Sequence, residues 1–166
     1  IATGLVSMTA WTDIDNVSVS SAADVSMGAD NNITNATVVA AGEVSLVAGD
    51  DNGVGTISGA SIEAGHVELT ALNNIANSTI LSTGKKNTVN VFALNEMGSV
   101  SIKAEGDIVI DAATIDTLDA FTLGDLSIGV NPAAADPRRI TSISTSNLYA
   151  AGNILINADE YVNDVS

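Results

Sequence analysis

One short phrase recurs along this chain: a glycine, a polar or acidic residue, then Val-x-Leu-x-Ala or a close variant. It reads Gly42-Glu43-Val44-Ser45-Leu46-Val47-Ala48, and again Gly65-His66-Val67-Glu68-Leu69-Thr70-Ala71. It returns as Gly106-Asp107-Ile108-Val109-Ile110-Asp111-Ala112 and as Gly152-Asn153-Ile154-Leu155-Ile156-Asn157-Ala158. Self-similarity at a period near twenty residues confines the fold to stacked units, each too small to bury its apolar face alone.

Taking the Val of each phrase as register position one, coils begin at Val6, Val25, Val44, Val67, Val89, Ile108, Leu126 and Ile154. The spacings are 19, 19, 23, 22, 19, 18 and 28 residues. Position three holds Met8, Met27, Leu46, Leu69, Val91, Ile110, Ile128 and Ile156, and position five is Ala in all coils but the seventh, which has Val130. Alternation of this kind is strand periodicity with one face buried. A second strand follows at positions nine, twelve and fourteen, as in Ile33/Ala36/Val38 and Ile57/Ala60/Ile62. Coil six is one residue short, which leaves open whether Ala120 or Phe121 points inward.

A six-residue strand has no partner layer within its own coil. Stacking coil on coil supplies one, each column of Val, Leu or Ala sitting over its equivalent at about the 4.8 Å strand spacing. The expected fold is therefore an all-β solenoid of about eight coils, 18–28 residues each, forming a single segment over 1–166. The Ala column marks a corner where only a methyl fits. The Gly column (Gly42, Gly65, Gly84, Gly106, Gly124, Gly152) marks another, with a positive φ as its expected reason. No segment sustains a 3.6-residue period, so no helix is expected.

Composition agrees. Apolar residues make up 46 % but aromatics only 3 %, so the core is Val, Ile, Leu and Ala, suited to narrow stacked strands. A net charge of −15 disfavours nucleic acid and anionic membranes as partners. There is no cysteine and hence no disulfide framework. No stretch approaches the ~20 apolar residues of a membrane span. The chain starts and stops in mid-repeat, which suggests a piece of a longer repeat protein.

With its coil length and its Ala and Gly columns, the phrase resembles the haemagglutinin-type repeats of filamentous-haemagglutinin-like bacterial surface adhesins, over roughly Gly4 to Val165. Many such proteins are exported by two-partner secretion. The resemblance implies a right-handed parallel β-helix, a secreted or cell-surface location, and a role as shaft or adhesive filament. The family's amino-terminal secretion domain has no counterpart here, so an export route does not carry over.

Insertions are where a solenoid carries what is individual to it. Coil three adds residues within 49–56, coil four within 85–88, and coil seven within 131–142. Asp50 and Asp51 in the first form a Gly-flanked turn of oxygen ligands that could take calcium. Arg138 and Arg139 in the third, beside Asp136, are suited to grip a carboxylate or an acidic sugar. A further candidate is the column at position nineteen, which reads Asp24, Glu43, His66, Thr88, Asp107, Asp125 and Asn153. Stacking puts Asp24 near Glu43 and Asp107 near Asp125, an acidic ladder whose like charges repel by about 1 kcal/mol even in water and would be relieved by a divalent cation. Hydrated carboxylates and solvated loop tips are the plainer account of each. Asn73 and Asn95, in register with Asn31, are expected to bond along their column as structural amides.

Catalysis is not expected. Asp111, Asp116 and Asp119 lie along one coil with no long arms to build the facing-carboxylate cleft of a glycosidase. His66 has no nucleophile elbow beside it. Trp11, Phe92, Tyr149 and Tyr161 share no register, which argues against a sugar platform, and Trp11 is expected to cover an edge or corner. The expected function is a structural shaft segment whose partners are neighbouring coils. Two alternatives stand beside it: a carbohydrate- or protein-binding module using the 49–56 and 131–142 loops, with a host or cell-surface ligand, and a fibre subunit joined end to end with copies of itself.

Overall fold

The computed structural model describes residues 2–50, 54–85, 87–129 and 140–166, for 140 and 141 the backbone alone. The chain is a right-handed parallel β-helix of about eight coils, with eighteen strands in one continuous sheet and no helix among the described residues. Every strand pairing is parallel, and the columns match the repeat register residue for residue. Val6 pairs with Val25, Val25 with Val44, Val44 with Val67, and Val67 with Val89. Val89 then pairs with Ile108, Ile108 with Leu126, and Leu126 with Ile154. The second strand stacks likewise, Ile14 on Ile33, Ile57, Ile75, Met97, Ile115, Ile143 and Val162 in turn.

The core is the pile of these inward columns. Ile33, Leu46, Ile57, Leu69, Ile75, Met97, Ile108 and Ile110 are fully buried. The Ala column is buried as expected at Ala29, Ala48, Ala71, Ala93 and Ala112. Coils one and eight have a neighbour on one side only, and there burial weakens: Val6 and Met8 are half-buried, Ile154 is 47 % exposed and Val162 51 %.

The phase break from position nine to position twelve has a conformational cause. Asn16, Asn35, Asn77, Ser99, Thr117, Thr145 and Asp164 all have φ between 47° and 59°, and Gly59 has φ 65°. These residues occupy position eleven of the eight coils. One left-handed residue per coil turns the wall and shifts the in–out alternation, so position twelve points inward instead of position eleven. Asn and Gly tolerate this conformation; Ser and especially β-branched Thr do so less readily.

The Gly column has a different reason from the one expected. Among the described residues the positive-φ glycines are Gly49, Gly59 and Gly129, none of them in that column. The column glycines are instead pressed against the coil beneath. A Cβ on Gly42 would overlap the Asp24 carboxylate, one on Gly124 that of Asp107, and one on Gly152 that of Asp125. On Gly106 it would overlap the Asn87 backbone carbonyl. Close approach, not φ, excludes a side chain.

Coil six settles its missing residue at the corner after Ala112, where the register slips between Ala93 and Glu96. The second strand regains register at once, Met97 on Ile115 and Ile102 on Ala120. Ala120 therefore points inward at 1 % exposure, and Phe121 outward at 37 %.

Candidate functional site

At the corners most backbone N–H groups still donate to carbonyls of the coil below, as Gly42 does to Ala23 and Leu72 to Ala48, and at two positions a side chain of the coil below takes the N–H instead. At position nineteen, Asp24 Oδ1 accepts the backbone N–H of Glu43 at 2.8 Å, and Asp107 Oδ1 that of Asp125 at 2.9 Å. Asp125 Oδ1 accepts from the backbone N–H of Asn153 at 2.7 Å and from its Nδ2 at 3.2 Å. Position eight repeats the device. Asp13 Oδ1 accepts from Asn32 N–H at 3.0 Å, Asn32 Oδ1 from Thr56 N–H at 3.1 Å, and Asn74 Oδ1 from Glu96 N–H at 3.2 Å. Wherever these contacts form they point the same way, the side chain of one coil serving the backbone of the next, so the stack has a direction.

Of the residues singled out for a cation, Asp24 and Glu43 meet at one corner, and Asp107 and Asp125 at the same corner higher up. His66 and Thr88 stand between the pairs, which leaves them about 14 Å apart by three strand spacings. In each of Asp24, Asp107 and Asp125, Oδ1 is taken by a backbone N–H of the next coil. Asp50 lies beyond strand Glu43–Ala48, off this column. Among the described residues no group of three or more His, Cys, Asp or Glu converges in a way that could hold a metal ion. Asp51, Arg138 and Arg139 lie outside the described residues.

The Asn column forms in part: Asn95 Nδ2 donates to Asn73 Oδ1 at 2.7 Å, and Asn73 Nδ2 to Thr56 Oγ1 at 3.4 Å. At position ten, Asp15 gathers the Thr34 hydroxyl, the Asn16 amide at 2.6 Å and the Asn35 amide at 3.4 Å. These donors, Thr34 foremost, hold its carboxyl below the ordinary value, with desolvation a smaller opposing effect. Inside the wall, buried hydroxyls do similar service. Ser78 Oγ donates to Ala76 O and accepts from Ala60 N–H, and Ser146 Oγ donates to Ser144 O and accepts from Leu118 N–H.

The outer wall carries one arrangement that the sequence reading missed. Lys103, Phe121 and Tyr149 are register neighbours at position fifteen. The Phe121 and Tyr149 rings stack with centroids 4.7 Å apart and 6° between planes, and Lys103 Nζ lies 5.7 Å from the Phe121 centroid. An open groove of about 240 Å³ runs beside them, lined by Asp119, Phe121, Asn147 and Tyr149. The register signal was present: placing the missing residue of coil six at the Ala112 corner puts Phe121 outward over Lys103. Trp11, expected to cover an edge or corner, is 90 % exposed. Asp116 accepts from Ser144 Oγ at 3.0 Å, while Asp111, though outward in its strand, is buried.

The fold and its corner ladders define a parallel β-solenoid with directional stacking. No family model, no curated protein and no solved structure matches this chain.

Proposed function

We propose that the chain is a non-catalytic structural shaft segment of a long, secreted or cell-surface, adhesin-like fibrous protein. The observation that carries this reading is the register itself. Eight coils repeat one cross-section with the same inward columns, and the described columns stay in register although coil lengths run from 18 to 28 residues. Such a design extends by adding coils without altering the wall, at about 4.8 Å per coil, so this segment spans roughly 38 Å. The resemblance of the repeat phrase to filamentous-haemagglutinin-like proteins supports the extracellular setting, and the high negative charge favours solubility there. Neighbouring coils are the partners this role requires. No cofactor is needed; calcium at Asp24, Glu43, Asp107, Asp125 or the Asp50–Asp51 turn would be an accessory.

A second reading, a carbohydrate- or protein-binding module, is favoured by one observation. Strands Glu43–Ala48 and Leu126–Ile128, which precede the insertions of coils three and seven, share one column and lie about 19 Å apart by four strand spacings. Arrays of glycans and of immobilised extracellular proteins, probed with the wild-type chain and with Arg138→Ala/Arg139→Ala, separate the two. A shaft segment gives no capture that depends on these arginines. Capture abolished by the double substitution would replace the shaft reading with the binding one.

A further inference from the structure

We infer that two copies of this chain pair side by side and antiparallel through the outward column at position fifteen, with a two-fold axis at the level of Leu81. The pairing needs the fold alone and goes beyond the shaft reading. In this column Val39, Glu63, Leu81, Lys103 and Phe121 follow one another as register partners through coils two to six. Ser20 lies below them and Tyr149 above. The chain carries a net charge of −15, yet the middle of this column is a leucine flanked by one charge of each sign. Glu63 and Lys103 face solvent, and Val39 and Phe121 are 43 % and 37 % exposed.

Within one chain the backbones of Glu63 and Lys103 are two strand spacings apart, about 10 Å, with Leu81 between them. A two-fold axis along the strand direction, passing between two facing copies of Leu81, exchanges coil three with coil five. Glu63 of each copy then faces Lys103 of the other, so the ion pair forms twice. Coil two faces coil six and coil one faces coil seven by the same operation. The Phe121 and Tyr149 rings, stacked on each other into one ridge, lie over the shorter Val39 and Ser20 of the other copy. In the adjacent outward column Thr79 faces its own copy and Ser61 faces Ser101. Thr37 meets Asp119, a carboxylate able to accept its hydroxyl.

Charge selects this arrangement over its competitors. A parallel pair sets Glu63 against Glu63 and Lys103 against Lys103. Moving the axis by half a coil sets Lys103 against Leu81 and Glu63 against Phe121, leaving both charges on apolar groups. The contact is isologous, the same column on both copies, and so closes as a dimer. The face measures about 29 Å by 13 Å over seven coils, roughly 400 Å² on each copy. A total near 800 Å² is the size of a weak, transient contact, so the dimer forms at high protein concentration. Rods rooted side by side on one surface, as the shaft reading would have them, are parallel and present like charges to each other. Rods that approach from opposed surfaces present the complementary ones.

The test is analytical ultracentrifugation up to about 1 mM protein, at an ionic strength of about 0.15 M. It compares wild type, Glu63→Lys, Lys103→Glu and the double substitution. Both side chains are exposed, so all four proteins should melt alike by circular dichroism. The wild type should show a monomer–dimer equilibrium. Each single substitution should weaken it at least about tenfold, because the two-fold repeats the new like-charge contact. The double substitution should restore the wild-type equilibrium, since opposite charges again face each other. A wild type that stays monomeric throughout would overturn the inference and leave the shaft reading intact. Dimers indifferent to the single substitutions, as a parallel pair or another face would give, would overturn it equally. So would a double substitution that fails to restore the dimer.

Discussion

The carboxylate of Asp24 fills the space in which a side chain on Gly42 would have to begin. The same carboxylate accepts the N–H of the next residue, Glu43, so the glycine and the hydrogen bond are two halves of one corner. Gly42→Ala should cost about 1–3 kcal/mol through overpacking. Asp24→Ala should cost about 1 kcal/mol through the lost acceptor. Combined, they should cost less than the sum by at least about 1 kcal/mol, because removing the carboxylate makes room for the methyl. Urea denaturation of the four proteins measures this coupling; strict additivity would show that the glycine has some other reason.

The left-handed column makes a prediction of opposite sign. Thr117 holds φ 59° on an exposed corner, where Asn16, Asn35 and Gly59 do the same work with less steric conflict. Thr117→Gly should raise stability by about 0.5–1 kcal/mol, since relief of the left-handed conformation exceeds the entropy that glycine adds to the unfolded chain. Asn35→Val should lower it by about 1–2 kcal/mol. Thermal melting of the two variants checks both signs.

Asp15 gives the fold a specific acid sensitivity. The Thr34 hydroxyl, with the Asn35 and Asn16 amides, favours its ionised form and lowers its pKa below 3.8. A carboxyl depressed in the folded state contributes stability that is present above the unfolded pKa of about 3.9 and lost as pH falls through the folded value. Melting temperature should therefore fall more steeply below about pH 4 in the wild type than in Asp15→Asn. In Thr34→Val the NMR titration midpoint of Asp15 should move up toward the ordinary value.

Ile102 is 1 % exposed between Ile80 and Ala120, and Lys103 next to it faces outward. Ile102→Asp places an unpaired carboxylate in an aliphatic column and should abolish cooperative folding at neutral pH, a loss of several kcal/mol. Lys103→Gln removes a partly exposed contact with the Phe121 ring and should cost no more than about 1 kcal/mol. Circular dichroism melts distinguish the adjacent positions.

Much of this architecture is written in the sequence, because a parallel stack repeats one cross-section and each column can be read as a list. The columns from Val6 to Ile154 and from Ile14 to Val162 are set by burial alone, and burial leaves a strict pattern of apolar residues. The corners were harder to read. The left-handed position is filled by Asn16, Gly59, Ser99 and Thr117 alike, since an exposed turn selects for conformation and tolerates several side chains. The Gly column was visible, but its cause lies in contacts with residues about one coil earlier, which a local reading of φ does not see. The Lys103–Phe121–Tyr149 column was hidden by one ambiguity, the place where coil six absorbs its missing residue.

The most direct test of the shaft account is a tandem fusion imaged by electron microscopy. With Ser166 at position thirteen and Ala2 at position sixteen, one residue inserted before Ile1 keeps the register through the junction. The account predicts one straight rod of constant width, about 77 Å long for sixteen coils at the strand spacing. Two particles joined by a hinge would contradict it, showing that the coils end in closed faces and do not form an extendable shaft.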